Sequence, residues 1–91
     1  MYTIVATQVF LHRSRKFLKK HPELRQRYAQ VIDDLRDNPF APHLNYHHLG
    51  GKYEGIQAVS LTYEYRITLT VLLTEKEIIL LDVGSHDEIY R

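Results

Sequence analysis

Histidines 43, 47, 48 and 86, together with Glu64, Arg66 and Tyr90, are the residues of this 91-residue sequence whose types could do chemistry. Histidine exchanges a proton near neutral pH, and arginine offers an anion a planar fork of donors. A base, an acid and a fixed cation are what cleavage of RNA at its own 2′-hydroxyl requires. The base takes the hydroxyl proton, the acid protonates the leaving 5′ oxygen, and the cation stabilises charge developing on phosphorus. His47 or His48, Glu64, Arg66 and His86 fall at strand ends or on an expected open sheet face. Tyr46, Tyr63, Tyr65 and Tyr90 are close to them in sequence and suited to stacking on bases. Taken singly, each residue also has a plainer role: a surface-loop histidine, a turn glutamate, a histidine at a helix start. The set as a whole reads as metal-free acid–base chemistry on a phosphodiester.

Other chemistries fit less well. Zinc requires three or four ligands at fixed distance, and adjacent histidines such as His47 and His48 rarely serve one ion. No metal and no other cofactor is therefore expected. Ser85, His86 and Asp87 are consecutive, so their side chains diverge and cannot form a hydrolytic triad. "HLGGKYEG" contains glycines without the G-x-x-x-x-G-K-[ST] pattern of a phosphate-binding loop.

The terminal stretch "VGSHDEIYR" has two readings. Ser85 and Glu88 stand three apart, the spacing of a reciprocal helix cap, which makes His86 incidental. His86 and Tyr90 stand one helical turn apart and could equally face a substrate.

These residues need elements to position them. "YTIVAT" (2–7) is β-rich, and Thr7 is placed to cap a helix carrying Phe10, Leu11, Phe17 and Leu18. Pro22 ends that helix near His21 and suits the first position of a second one, in which Leu24, Tyr28, Val31, Ile32 and Leu35 form an amphipathic stripe. "DNPFAP" (37–42) stops this helix and opens a loop running to about Gly51. In "YRITLTVLL" (65–73) apolar residues alternate with Arg66, Thr68 and Thr70, so one face meets the helices and Arg66 projects from the other. "KYEGIQAVSLT" (52–62) is the expected antiparallel partner, and "TEKE" (74–77) turns into "IILLDV" (78–83), an inner strand by its continuous apolarity. The expectation is an α+β fold over residues 1–91 as a single domain. A two-helix hairpin packs on one face of a mainly antiparallel four-stranded sheet in the order β-α-α-β-β-β, with a short C-terminal turn.

The charge is unevenly placed. Residues 1–30 carry seven Lys or Arg against Glu23 alone, a balance of +6, and residues 31–91 carry five against ten acids, a balance of −5. A basic first third attracts a polyanion or an acidic partner, although a solvated helix face gives the same composition. The chain has no cysteine, so disulfides and thiolate metal sites are excluded. No apolar run approaches the roughly 18 residues of a membrane span, and the first residues do not read as a signal peptide. A soluble, cytoplasmic protein is expected.

The order of elements, with "HHLGGKYEGIQAVSLTYEYRITLTV" followed by "LLDVGSHDEIYR", resembles the RelE/ParE superfamily of bacterial toxins, most closely the YafQ-like RelE group. The specific part is H-x-L-x-G-x-(aromatic)-x-G, the E-Y-R-I strand entry and the final G-S-H-x-x-x-(aromatic), in the family's order. The resemblance implies a ribosome-dependent endoribonuclease (an mRNA interferase), silenced by a cognate acidic antitoxin in a hetero-oligomer, with the ribosome and messenger RNA as its other partners. It implies catalytic roles for His47, Glu64, Arg66, His86 and Tyr90. His48, Lys52, Tyr65, Arg13, Lys16 and Lys20 are the matching candidates for RNA binding. Two departures stand out. Ser60 replaces a further family histidine, and the doublet leaves His47 against His48 open. Retained histidines favour the nuclease over the gyrase-inhibiting ParE branch. A non-catalytic partner-binding module of the same fold is the third reading.

Overall fold

The computed structural model describes residues 1–90. Strand β1 (Thr3–Ala6) leads into helix α1 (Gln8–Lys20), where the Thr7 hydroxyl accepts the Phe10 N–H at 3.1 Å as the expected N-cap. Pro22 does not begin the second helix directly. It opens a 3₁₀ turn, Pro22–Leu24, and helix α2 follows as Arg25–Asp37. The proline suits the 3₁₀ start for the reason it suits an α start, since its missing N–H would have had no partner there.

The sheet corrects the sequence reading. It has five strands, not four, in the order β1-β5-β4-β3-β2, and it is mixed. Strands β3 (Gln57–Ser60), β4 (Tyr65–Leu72) and β5 (Glu77–Ser85) form the antiparallel body. β1 runs parallel to β5, pairing Thr3 with Glu77 and Ala6 with Leu80. The fifth strand, β2, is the histidine pair His47–His48 itself, antiparallel to β3 and placed where a loop was expected. Residues 52–56, expected as strand, form instead a 3₁₀ turn (Gly51–Tyr53) and a bend, because Gly51 and Gly55 adopt positive φ of 63° and 88°.

Both helices lie on one face. Phe10, Phe17, Val31 and Leu35 form one core with Leu44, Val59, Leu61, Ile67, Leu69, Ile78, Leu80 and Val83, and Leu24, Tyr28, Ile32 and Val71 pack at its margin. The period-two pattern of β4 therefore sends Ile67 and Leu69 to the helices and Arg66, Thr68 and Thr70 to the other side. A register shift between Thr68 and Leu69 interrupts the β4–β5 ladder, Thr68 pairing with Asp82 and Leu69 with Leu80. The extra residue, Leu81, resets the alternation, so Val83 as well as Leu80 faces the core. Beyond Ser85 the chain ends in a one-turn helix, α3 (His86–Ile89), the expected C-terminal turn. Among the described residues no helix is long and apolar enough to cross a membrane.

Leu35 is fully buried at the centre of the core. Leu35→Ala is expected to lower unfolding free energy by about 2–5 kcal/mol through lost transfer energy and the residual cavity. Urea denaturation measures it, and an unchanged midpoint would mean that α2 does not pack as described.

Candidate active site

The face of the sheet opposite the helices collects the polar residues. Reading across the register, His47 pairs with Ala58 and Ala58 with Thr68, and in the next row Ser60 pairs with Arg66 and Arg66 with Gly84. Since Val59 and Ile67 face the core, these two rows share the opposite face. His47 thus lies on the Arg66 side of the sheet. His48, one residue on, points the other way, and its ring meets Tyr46 edge-on at 5.6 Å.

Asn45 fixes the His47 ring. Its backbone is left-handed (φ 53°), and its carbonyl lies 2.8 Å from His47 Nδ1. A carbonyl only accepts, so Nδ1 carries the proton and Nε2 of the neutral ring carries the lone pair. The Asn45 amide also donates to Ser60 Oγ at 3.4 Å, which ties the serine that replaces a histidine to the same corner. His43 is occupied elsewhere, with Nε2 2.9 Å from Asp34 Oδ2 on α2. That hydrogen bond, followed by one from Gln30, holds the Asp34 carboxyl below its usual range.

The other half of the site is built at the C-terminus. Ser85 and Glu88 form the full capping box: the Glu88 N–H donates to Ser85 Oγ at 3.2 Å and the Ser85 N–H to Glu88 Oε1 at 2.8 Å. A side chain at Gly84 would place a Cβ 3.2–3.3 Å from Glu88, so glycine gives this cap its room. The cap points α3 away from the strand, with the His86 and Tyr90 rings 4.3 Å apart. Tyr90 also lies beneath Arg66, whose Cζ is 5.9 Å from the ring centroid, and meets Tyr53 edge-on at 5.3 Å. Lys52 Nζ lies 5.3 Å over the Tyr53 ring. Arg66 Nε is buried, with no hydrogen-bond partner among the described residues. A guanidinium with an unspent buried donor is a costly arrangement that an anion would relieve.

The capping reading of the terminal stretch therefore holds, and the cap sets the position of His86 beside Tyr90. A helix N-terminus disfavours a cation, yet Asp87 and Glu88 occupy the first turn and Asp87 Oδ1 is 3.6 Å from His86 Nδ1. Glu64, the carboxylate singled out in the sequence, sits exposed in the turn before β4 and makes no ion pair or hydrogen bond among the described residues. Asp87 takes the place beside His86.

Not all the candidates gather here. Tyr65 turns to the helices, its ring 5.1 Å from Phe17 and 4.8 Å from His21. Arg13, Lys16 and Lys20 line a separate cavity of about 390 Å³ on the helical side, with Phe17, Val83 and Glu88. Arg13 is bound there to Asp82 at 3.0 Å. Tyr53 was not among the tyrosines singled out in the sequence. The one signal that could have found it is its place as the aromatic of the H-x-L-x-G-x-(aromatic) motif.

No protein-family model matches the chain, and no curated protein does. Solved structures do. A toxin from Helicobacter pylori, solved with copper bound, is 26% identical and superposes with a TM-score of 0.80 over 98% of this chain and 99% of that one. YafQ from E. coli superposes with a TM-score of 0.82 over the whole of both chains, at 13% identity. The chain shares the fold of these toxins. Its likeness to this RelE/ParE fold extends to a YoeB/ParE toxin from Agrobacterium tumefaciens (17% identity, TM-score 0.76, 92% of this chain and 98% of that one). YafQ has also been solved in complex with DinJ. Copper belongs to the Helicobacter protein. Here, among the described residues, no group of three or more His, Cys, Asp or Glu side chains is placed to hold a metal.

The cap generates two expectations. Ser85→Ala should lower stability by about 1 kcal/mol, measured by thermal or urea unfolding. The Ser85 backbone N–H is the main cause holding the Glu88 carboxyl below its ordinary value. A depressed folded value means that the cap's contribution is complete above the ordinary carboxyl range and is lost as pH falls through the folded value. Amide resonances of residues 85–89 should accordingly shift on acidification below that range. Resonances that stay fixed down to the acid unfolding transition would contradict the cap.

Proposed function

We propose that residues 1–91 form the toxin of a type II toxin–antitoxin pair, a ribosome-dependent endoribonuclease that cuts messenger RNA by metal-free acid–base catalysis. The observation that carries this reading is the packing of His86, Tyr90 and Arg66 on the open face, with Arg66 Nε buried and without a partner among the described residues. The RelE/ParE fold and the family motifs support it.

In the reaction, His47 Nε2 takes the proton of a ribose 2′-hydroxyl. The freed oxygen attacks the adjacent phosphorus, forming a 2′,3′-cyclic phosphate. The bond from phosphorus to the 5′ oxygen breaks, and protonated His86 delivers its proton to that oxygen. Arg66 stabilises the charge on the phosphoryl oxygens, its Nε gaining the hydrogen bond that it lacks among the described residues. Three strand spacings separate β2 from β5, about 14 Å between backbones. The two imidazoles are thus set to act from either side of one phosphodiester, not on each other. Tyr90 orders His86 and Arg66 by packing against both.

Lys52, over the Tyr53 ring, and His48, whose ring points to the other face of the sheet, are assigned to RNA contacts. Arg13, Lys16 and Lys20, on the other side of the sheet, suit the ribosome's phosphates or an acidic antitoxin segment. Binding of that antitoxin should weaken as salt rises, as attraction to a +6 region requires. Titration at two ionic strengths measures it, and salt-independent affinity would point to an apolar interface.

Cell-free translation tests the function. The protein should halt it and leave cut messages, and His86→Ala should lower cleavage on ribosomes by on the order of 100-fold with the fold intact, as loss of one acid–base group predicts. Cleavage at the parent rate would remove His86 from the mechanism. Arrested growth with uncut messages and inhibited gyrase would favour the ParE alternative. No effect on either would favour a binding module.

A further inference from the structure

The helix that carries His86 has four residues, too few to hold its shape unaided. Its N-terminal end is fixed by the Ser85–Glu88 box. At its C-terminal end the Tyr90 N–H closes the turn on the His86 carbonyl at 2.9 Å, so the placement of Tyr90 sets that of His86. The Tyr90 ring touches three groups: His86 at 4.3 Å, the Arg66 guanidinium at 5.9 Å, and Tyr53 edge-on at 5.3 Å. His86 and Arg66 belong to the chemistry already assigned to this face. Tyr53 does not. It comes from the 3₁₀ turn Gly51–Tyr53, on the segment between β2 and β3.

That segment is not a free loop. The Leu49 N–H donates to the Ile56 carbonyl at 2.9 Å, closing its base. Inside it the Tyr53 N–H donates to Gly50 and the Ile56 N–H to Tyr53, and the Thr70 hydroxyl of β4 donates to the Gly55 carbonyl at 3.2 Å. Tyr53 is thus carried on a turn anchored to the sheet at both ends. The 79° angle between the Tyr53 and Tyr90 planes is the edge-to-face arrangement that aromatic pairs favour.

We infer that Tyr53 is a positioning residue for His86: it buttresses the Tyr90 ring, and through it sets where the imidazole of α3 stands over the open face. This rests on the proposed nuclease for its kinetic consequence but not for its structural one. The contact also joins the segment that follows His47 to the helix that carries His86, so the two histidines assigned to base and acid are held in one frame.

The test uses Tyr53→Ala, Tyr53→Leu and Tyr53→Phe in the full-length protein, with two readouts. In NMR spectra of the free protein, the His86 ring resonances should move in Tyr53→Ala and Tyr53→Leu and stay at the parent positions in Tyr53→Phe, which keeps the ring. On ribosomes, kcat should fall roughly tenfold in the first two variants with KM within about twofold, and Tyr53→Phe should restore it; an effect of about 1.4 kcal/mol on the barrier corresponds to such a change. His86 resonances unmoved in folded Tyr53→Ala and Tyr53→Leu would overturn the inference. So would a rise in KM alone, which would make Tyr53 a surface on which RNA stacks. If the parent protein cuts no message, the nuclease reading fails, and the NMR comparison still decides whether Tyr53 positions His86.

Discussion

The register shift between Thr68 and Leu69 is the constraint on which the rest of the molecule depends. Side chains on a strand alternate strictly, so a single extra residue exchanges the two faces for everything beyond it. With Leu81 as that residue, Leu80 and Val83 both reach the core under α1, and Gly84 falls opposite Arg66. Strict alternation from Leu80 would turn Val83 away from the core. The terminal helix starts from the reset strand, so the bulge decides where His86 and Tyr90 stand relative to Arg66. Asp82, beyond the end of the β1 pairing, is then free to take Arg13. That ion pair is partly exposed and contributes little to stability on its own. What it does is orient a cation along the groove beside α1.

The two sides of the sheet have separate tasks. The helical side carries the core and, along α1, the basic residues Arg13, Lys16 and Lys20. The opposite side carries His47, Arg66, His86, Tyr53 and Tyr90, with an arginine donor buried and without a partner among the described residues. A stable core tolerates such a group where the stabilisation comes from elsewhere, and an unsatisfied donor of this kind marks a surface arranged for a ligand more than for stability. The RelE/ParE fold thus holds a charged, aromatic site on a sheet face that needs no apolar cover.

Much of this was legible in the sequence because it follows from short-range periodicity. The alternation in 65–73 placed Arg66 opposite the helices, the stripe from Leu24 to Leu35 placed α2, and the three-residue spacing of Ser85 and Glu88 announced the cap. The rest depended on pairings between distant segments. β1 closes the sheet in parallel through β5, and two residues are too few for a periodicity to reveal β2. The bulge leaves no trace in "IILLDV", where apolar residues occupy both parities. Tyr65, beside Arg66 in sequence, lies across the sheet from it, as the alternation in 65–73 requires. Tyr53, thirty-seven positions from Tyr90, touches it. Glu64 was assigned from the family resemblance, whereas the carboxylate beside His86 is its own neighbour, Asp87.

The chemistry of the cut ends tests the account most directly. Attack by a 2′-hydroxyl between a histidine base and a histidine acid leaves a 2′,3′-cyclic phosphate on one fragment and a 5′-hydroxyl on the other. Messages cut on ribosomes by the purified protein should carry those ends, read by whether the downstream fragment accepts a 5′ phosphate from a polynucleotide kinase without prior dephosphorylation. Downstream fragments that already bear a 5′-phosphate would mean that water or another external nucleophile made the cut, and the roles assigned to His47 and His86 would be contradicted.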